Sequence, residues 1–359
     1  MVAVHQFLSS LAPRDAQSQH HLQIRDALRG AGYASDIFVG EAKGSLRSHA
    51  RPFRSFEGAP DTWLLYGHAI GSPVAEFVTA RPEPLIVDYH NVTPSGFFAA
   101  WEPHAAIRMA AGRRQLRALA ARCRLGLADS EYNERELVEL GARRTAVVPI
   151  MVDSENFAAV ADPALLARLC ADRASGIVHL LFVGRLAPNK CQHDLVATVA
   201  ALRTGHGIDA RLHLVGGSSS DRYARALRSY ARAAGVEPFI EFVGSAPPAI
   251  LSAYYEGASC FVCLSEHEGF CVPLLESWYH GLPIVAFAST AVTETLDDAG
   301  IVLTRKSPAT VAAAIARVAL DDAPLRSRIV SRGAARLEEF SLPRTRAKLL
   351  AEIASVVAA

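Results

Sequence analysis

Short apolar runs alternate with stretches of helical period along the whole chain. The runs 2–8, 33–39, 62–66, 84–89, 125–128 and 145–150 read as strands, with helices over 20–30 and 105–124. The opening strand, a helix closed by Gly30-Ala31-Gly32 and a second strand make a βαβ unit, the start of a doubly wound domain. Segment 153–176 holds an alanine-rich helix and few strand signals, which places a domain junction there. Beyond it, 177–183, 212–215, 239–243, 258–264 and 282–287 read as strands. Helices are expected from about Gln192, from Pro273 to Gly281, and over 308–318, 324–340 and 344–357. The predicted class is α/β with parallel sheets.

The length of 359 residues and a 50% hydrophobic content suffice for two such cores. A net charge of +1 gives no general pull towards nucleic acid. No apolar run approaches a membrane span, and the start of the chain lacks a basic segment followed by an apolar one, so a cytoplasmic protein is expected. The helix over 105–124 is basic, with Arg113, Arg114, Arg117, Arg122 and Arg124. It reads as a surface helix packed on the sheet, with weak peripheral contact to anionic lipid as the other use. Cys260 and Cys263 lie in one predicted strand, where their spacing points them to opposite faces. No second Cys/His pair accompanies them, so neither metal nor redox function is expected. Dinucleotide and P-loop glycine fingerprints are both absent.

The chemistry concentrates between residues 258 and 287, which read as strand, loop, helix, strand. In an open parallel sheet such a loop lies at the carboxyl end of a strand, where ligands bind. The amides of Gly269, Phe270, Cys271 and Val272 precede a helix that has Pro273 in its first turn, an arrangement suited to an anion. Glu268 and Glu276 flank them. Carboxylates repel phosphate, so sugar hydroxyls are their natural partners. A second strand-to-helix turn carries Gly184-Arg185 and Lys190, a forked donor and a mobile point charge suited to a diphosphate. His90, just past the 84–89 strand in a polar turn, is expected to face the crevice; His68 is a second candidate, and Arg14 and Asp15 are candidates in the polar loop after the first strand.

The string Ser265-Glu-His-Glu-Gly-Phe-Cys-Val-Pro-Leu-Leu-Glu276, with Gly281-Leu-Pro-Ile-Val285 after it, resembles the E-x7-E motif of the family 4 retaining glycosyltransferases of the GT-B fold. That resemblance implies two Rossmann-like domains facing across a deep cleft, 1–160 joined by 340–359 on the acceptor side and 170–339 on the donor side. It implies transfer of a hexose-type sugar from a UDP- or GDP-linked donor to an acceptor hydroxyl, in cell-surface glycan, glycolipid or glycoside synthesis. The donor is a co-substrate; no cofactor and no metal are expected. By the same resemblance, Arg185 and Lys190 hold the diphosphate, Glu268 the donor sugar, and Glu276 the ribose. The turns at Gly216 and at Val243-Gly244 line the nucleotide pocket, and His90 contacts the donor sugar. Glu294 matches a glutamate of structural use. Domain closure about 151–176 would exclude water. The chain departs from the family pattern where the 9–16 loop lacks glycine and where Pro149-Ile-Met-Val-Asp153 replaces a glycine-containing linker. An epimerase or phosphorylase on the same architecture, and a non-catalytic sugar-nucleotide-binding protein, are the other readings.

Overall fold

The computed structural model describes residues 2–13 and 15–357. They form two compact units, Met1–Val152 with Phe340–Ala359, and Asp153–Glu339. In chain order the first contains β1 (Ala3–Leu11), α1 (Ala16–Gly30), β2 (Ile37–Ala42), β3 (Ala50–Pro52), β4 (Thr62–His68), α2 (Pro73–Ala80), β5 (Leu85–Tyr89), α3 (Pro103–Arg122), β6 (Leu125–Ala128), α4 (Glu131–Glu139) and β7 (Thr145–Val147). Its strands pair in the order β3-β2-β1-β4-β5-β6-β7, all parallel.

The second unit contains α5 (Pro163–Ala174), β8 (Val178–Val183), α6 (Gln192–Gly205), β9 (Ala210–Val215), α7 (Asp221–Ala233), β10 (Ile240–Gly244), α8 (Pro248–Gly257), β11 (Cys260–Cys263), α9 (Pro273–Tyr279), β12 (Ile284–Phe287), α10 (Val292–Leu296), β13 (Ile301–Leu303), α11 (Pro308–Ala316) and α12 (Ala323–Glu339). Its sheet order is β10-β9-β8-β11-β12-β13, again parallel. Counting from its first strand this is 3-2-1-4-5-6, the doubly wound order, whose direction reverses between β8 and β11. The final helix α13 (Leu342–Val357) returns to the first unit, where Leu349 and Ile353 are buried with Val4, Ile24 and Leu65. No helix among the described residues is long and apolar enough to cross a membrane.

The elements differ from the sequence expectation mainly where polar residues sit inside strands. β1 runs on through Ser9 and Ser10 to Leu11, and α1 starts at Ala16, not at His20. β4 continues through Gly67 and His68, which the sequence assigns to a loop. Ladder hydrogen bonds hold these residues extended despite their polarity, and burial adds to this at Gly67 and His68. The sequence pattern does not show the short β3 and β13, and Glu294 lies in α10, with its carbonyl accepting a hydrogen bond from Arg336 at 2.7 Å. Cys263 Sγ lies 4.0 Å from Cys271 Sγ, whereas Cys260 contacts the Phe261 carbonyl.

Candidate functional site

In the second unit the loops after β8 and β11 flank the point where the strand order reverses. The first passes Gly184 and Arg185, makes a 3-10 turn over Pro188–Lys190, and enters α6 through Cys191 in a left-handed conformation, φ 51°. The second passes Glu268 and reaches α9 through Cys271, also left-handed at φ 79°. Such a backbone is strained for a residue with a Cβ, by roughly 1–2 kcal/mol. Both instances fall on the predicted donor loops.

The two loops are laced together. Glu266 donates its amide to the Asn189 carbonyl at 2.9 Å, and Asn189 Nδ2 donates to the His267 carbonyl at 3.1 Å. Lys190 Nζ lies 2.5 Å from Glu268 Oε2. Burial alone would lower the Lys190 pKa, but the Glu268 carboxylate outweighs it and holds the ammonium above its ordinary value. Thr290, after β12, accepts from the Glu268 amide at 2.9 Å and donates to its carbonyl at 2.8 Å, so the backbone of Glu268 is gripped on both sides. Lys306 bridges Glu266 and Asp194 at 2.7 Å each. Asn189, Thr290 and Lys306 are not singled out in the sequence reading, because their partners lie tens of residues away.

Arg185 is exposed and makes no ion pair among the described residues, while its carbonyl accepts from Gln192 Nε2 at 3.0 Å. The backbone amides of Cys271 and Val272 meet no acceptor among the described residues. Phe270 and Cys271 are buried, Gly269 and Val272 half-buried. Glu276 Oε2 accepts from the Tyr255 hydroxyl at 2.6 Å, and Tyr255 stacks flat on His280. Burial raises the Glu276 pKa, an effect that the Tyr255 hydrogen bond offsets in part. Gly216 follows β9 with φ 141°, and its amide donates to the Gly244 carbonyl at 2.8 Å. A Cβ on Gly216 would stand 2.1 Å from the Gly184 carbonyl oxygen, so glycine is needed there for two strand ends to touch. Val243 and Gly244 are half-buried at the end of β10.

In the first unit the carboxyl end of β5 carries a buried cluster of three histidines and two aspartates. His90 Nδ1 lies 2.9 and 3.1 Å from the two Asp129 oxygens. Its Nε2 lies 3.3 Å from both Asp88 Oδ2 and His21 Nε2, and the side chain is only 5% exposed. Both ring nitrogens are therefore engaged internally, and the free nitrogen that a direct sugar contact needs is not presented. His20 Nε2 is 3.0 Å from Asp88 Oδ2, and its Nδ1 accepts the Met151 amide at 2.8 Å. None of His20, His21, Asp88 or Asp129 is a site candidate in the sequence reading.

Other acceptor-side expectations are relocated. His68 is not in a loop but fully buried in β4, with Nε2 donating to the Gly112 carbonyl at 3.0 Å and burial lowering its pKa to about 4. It cannot shape a pocket from there. Asp15 caps α1, its Oδ2 accepting from the Ser18 amide at 2.9 Å and hydroxyl at 2.7 Å. Arg14 lies outside the described residues.

Three groupings have the residue types of a cation site. In His20-Asp88-His90-Asp129, the Met151 amide takes the lone pair of His20 Nδ1. The ring proton must then be on Nε2, the nitrogen facing the cluster, which cannot ligate. Cys263-Glu268-Cys271 and Cys191-His193-Asp194 each already hold an ammonium, Lys190 on Glu268 and Lys306 on Asp194. These donor sets do not fit a metal as arranged.

Comparison with known proteins gives a consistent result. Residues 178–321 match the family described as Glycosyl transferases group 1. A D-inositol 3-phosphate glycosyltransferase of Geodermatophilus obscurus is 33% identical over 237 residues, 63% of this chain and 51% of that protein. One from Thermomonospora curvata is 30% identical, covering 70% of this chain and 61% of its own length. The chain thus spans about half the length of the curated relatives it matches. Among solved structures, Anabaena Alr3699/HepE in complex with UDP and glucose superposes with a TM-score of 0.72 at 17% identity, covering 98% of this chain and 100% of that one. WaaG, a glycosyltransferase involved in lipopolysaccharide biosynthesis, gives 0.72 at 14%, covering 96% and 98%. Residues 178–321 of the second unit thus carry a group 1 glycosyltransferase domain, and the two doubly wound units have the fold of these solved structures, the GT-B fold.

Proposed function

We propose that the chain transfers a hexose-type sugar from a UDP- or GDP-linked donor to an acceptor hydroxyl, with retained anomeric configuration. The observation that carries this reading is the pairing at the switch point of the second sheet. There an unpaired arginine, a lysine on a carboxylate and open backbone amides share two adjoining loops.

In this reading Arg185, Lys190 and the amides of Cys271 and Val272 take the diphosphate, with Gly269 and Phe270 completing the loop. They stabilise the charge that grows on the leaving group, and being fixed in advance they need little reorganisation. Glu268 accepts from donor-sugar hydroxyls and Glu276 from the ribose, while Gly216, Val243 and Gly244 border the nucleoside. The bond from the anomeric carbon to the diphosphate breaks as the bond to the acceptor oxygen forms on the same face. The acceptor's proton passes to the departing phosphate. The two cationic side chains supply the charge that a metal would otherwise bring. The similarity to D-inositol 3-phosphate glycosyltransferases makes that polyol phosphate the first acceptor to try, and the UDP complexes of Alr3699/HepE favour UDP over GDP.

The test is incubation with UDP- and GDP-sugars and candidate acceptors, following nucleoside diphosphate release and product anomer by NMR. Release with an α-configured product from an α-donor is expected. No release from any donor, together with no rise in melting temperature with UDP or GDP, would refute the reading.

A further inference from the structure

Two of the six free cysteines face each other across the loop that leads into α9. Cys263 ends β11, where ladder pairing with Ala286 fixes it. Cys271 follows eight residues later in the left-handed region, φ 79°. Their sulfurs are 4.0 Å apart, and the two residues are 1% and 9% exposed. The other buried thiols, Cys123, Cys191 and Cys260, contact backbone carbonyls instead. A carboxylate oxygen of Glu268 lies within 4.8 Å of both sulfurs, and that carboxylate holds the Lys190 ammonium. Glu268 opposes a thiolate at this place and Lys190 favours one. The Ser265 hydroxyl, 3.5 Å from Cys263 Sγ, can donate to it as well. The hydrogen bond from the Cys271 thiol takes the Cys263 pKa below its ordinary value against the effect of burial, and raises that of Cys271. Cys263 is therefore the first of the pair to lose its proton.

We propose that Cys263 and Cys271 close into a reversible disulfide, a redox switch that draws Cys271 towards the end of β11 and withdraws the 271–272 amides from an anion. A disulfide holds its sulfurs at about 2.05 Å, so the gap must shrink by about 2 Å. The strand end is held by its neighbours. Cys271 is the end that moves, because its backbone is strained and its amide meets no acceptor among the described residues. The disulfide stands on the sulfur geometry; its effect on ligand rests on the glycosyltransferase reading. The oxidant is hydrogen peroxide, small enough for a nearly buried pair. The Cys263 thiolate attacks one peroxide oxygen, the O–O bond breaks and hydroxide leaves, giving a sulfenic acid. The Cys271 sulfur then attacks the Cys263 sulfur, the S–O bond breaks, and the hydroxyl departs with the Cys271 proton as water. Two thiols give up two protons and two electrons, and the peroxide becomes two waters. A dithiol reverses the step by exchange.

The experiment treats the reduced chain with hydrogen peroxide, blocks the remaining thiols under denaturing conditions and maps them by mass spectrometry. Calorimetry with UDP and GDP runs on the same samples. A Cys263–Cys271 linkage should form, and dithiothreitol should remove it. The nucleotide that the reduced chain binds should bind the oxidised chain at least about tenfold more weakly, as for the loss of one hydrogen bond to a charged group. Affinity should return on reduction. Cys263→Ala should keep the affinity of the reduced chain and lose the response to peroxide. Cys263 and Cys271 thiols that stay free, or that reach sulfinic acid without linking, overturn the proposal. So does a linked chain that binds nucleotide as tightly as the reduced one. If Cys263→Ala does not fold, the wild-type maps and the reversal by dithiothreitol decide. A linkage that forms in a chain binding neither UDP nor GDP in either state would sink the functional reading and leave the disulfide standing.

Discussion

The contact between Lys190 and Glu268 sets up a competition that can be measured. A diphosphate that takes the Lys190 ammonium draws on the same charge that Glu268 now holds at 2.5 Å, and brings its own negative charge close to that carboxylate. At an effective dielectric of about 20, unit charges roughly 3 Å apart attract by roughly 5 kcal/mol before desolvation is charged against them. Net values are smaller, about 0.2–1 kcal/mol for exposed pairs, while breaking a buried pair costs about 3–5 kcal/mol. Lys190 is 21% exposed and Glu268 8%, which places this pair between those limits. A nucleoside diphosphate that claims Lys190 therefore gives up about 1–2 kcal/mol of pairing, or roughly 5- to 30-fold in affinity. Glu268→Gln removes the competitor and keeps the shape. Calorimetry should show UDP or GDP binding more tightly in the variant by about that factor. Transfer should fall by about 10²- to 10³-fold, because the carboxylate that supports the reacting sugar is gone. Unchanged or weaker diphosphate binding in a variant with wild-type melting behaviour would show that Lys190 is not the diphosphate's partner.

Three further outcomes follow from the same loops. Arg185→Ala should leave the melting temperature unchanged, as for an exposed residue without partners, yet weaken diphosphate binding by about 1.5–3 kcal/mol while free nucleoside binding holds; equal losses for both ligands in titrations would contradict the clamp. Glu276 has a folded-state pKa above its ordinary value, so the native state binds the extra proton and stability falls as pH rises through the raised pKa. Glu276→Gln should accordingly melt higher than wild type near neutral pH and lose that advantage below the ordinary carboxylate range; thermal melts across pH check the sign. Gly216→Ala drives a Cβ to 2.1 Å from the Gly184 carbonyl oxygen, a backbone atom that cannot yield. A loss above about 2 kcal/mol is expected, seen as a melting temperature lower by about 4 °C or more.

Local pattern was enough to reveal the class of fold and the two loops that meet at the switch point of the second sheet. Apolar runs bounded by glycine and proline fixed β5, β6 and the start of α6 closely, because there a strand's burial or a helix start is written into neighbouring residues. The Glu268-to-Glu276 string and the Gly184-to-Lys190 turn are contiguous, so they stood out as candidates before any coordinates. The acceptor-side assignments fared differently. His68 looked like a loop residue because Gly67 precedes it, but the ladder of β4 carries both into the core. Asp15 looked free because its cap partner, Ser18, was read as loop.

What only the tertiary structure decided is which polar groups meet. Lys190 and Glu268 are 78 residues apart in sequence, His90 and Asp129 are 39, and His20 and Met151 are 131. No local period encodes such encounters. They arise because parallel strands deliver distant loops to the same end of a sheet, where burial makes an unpartnered charge or ring nitrogen costly.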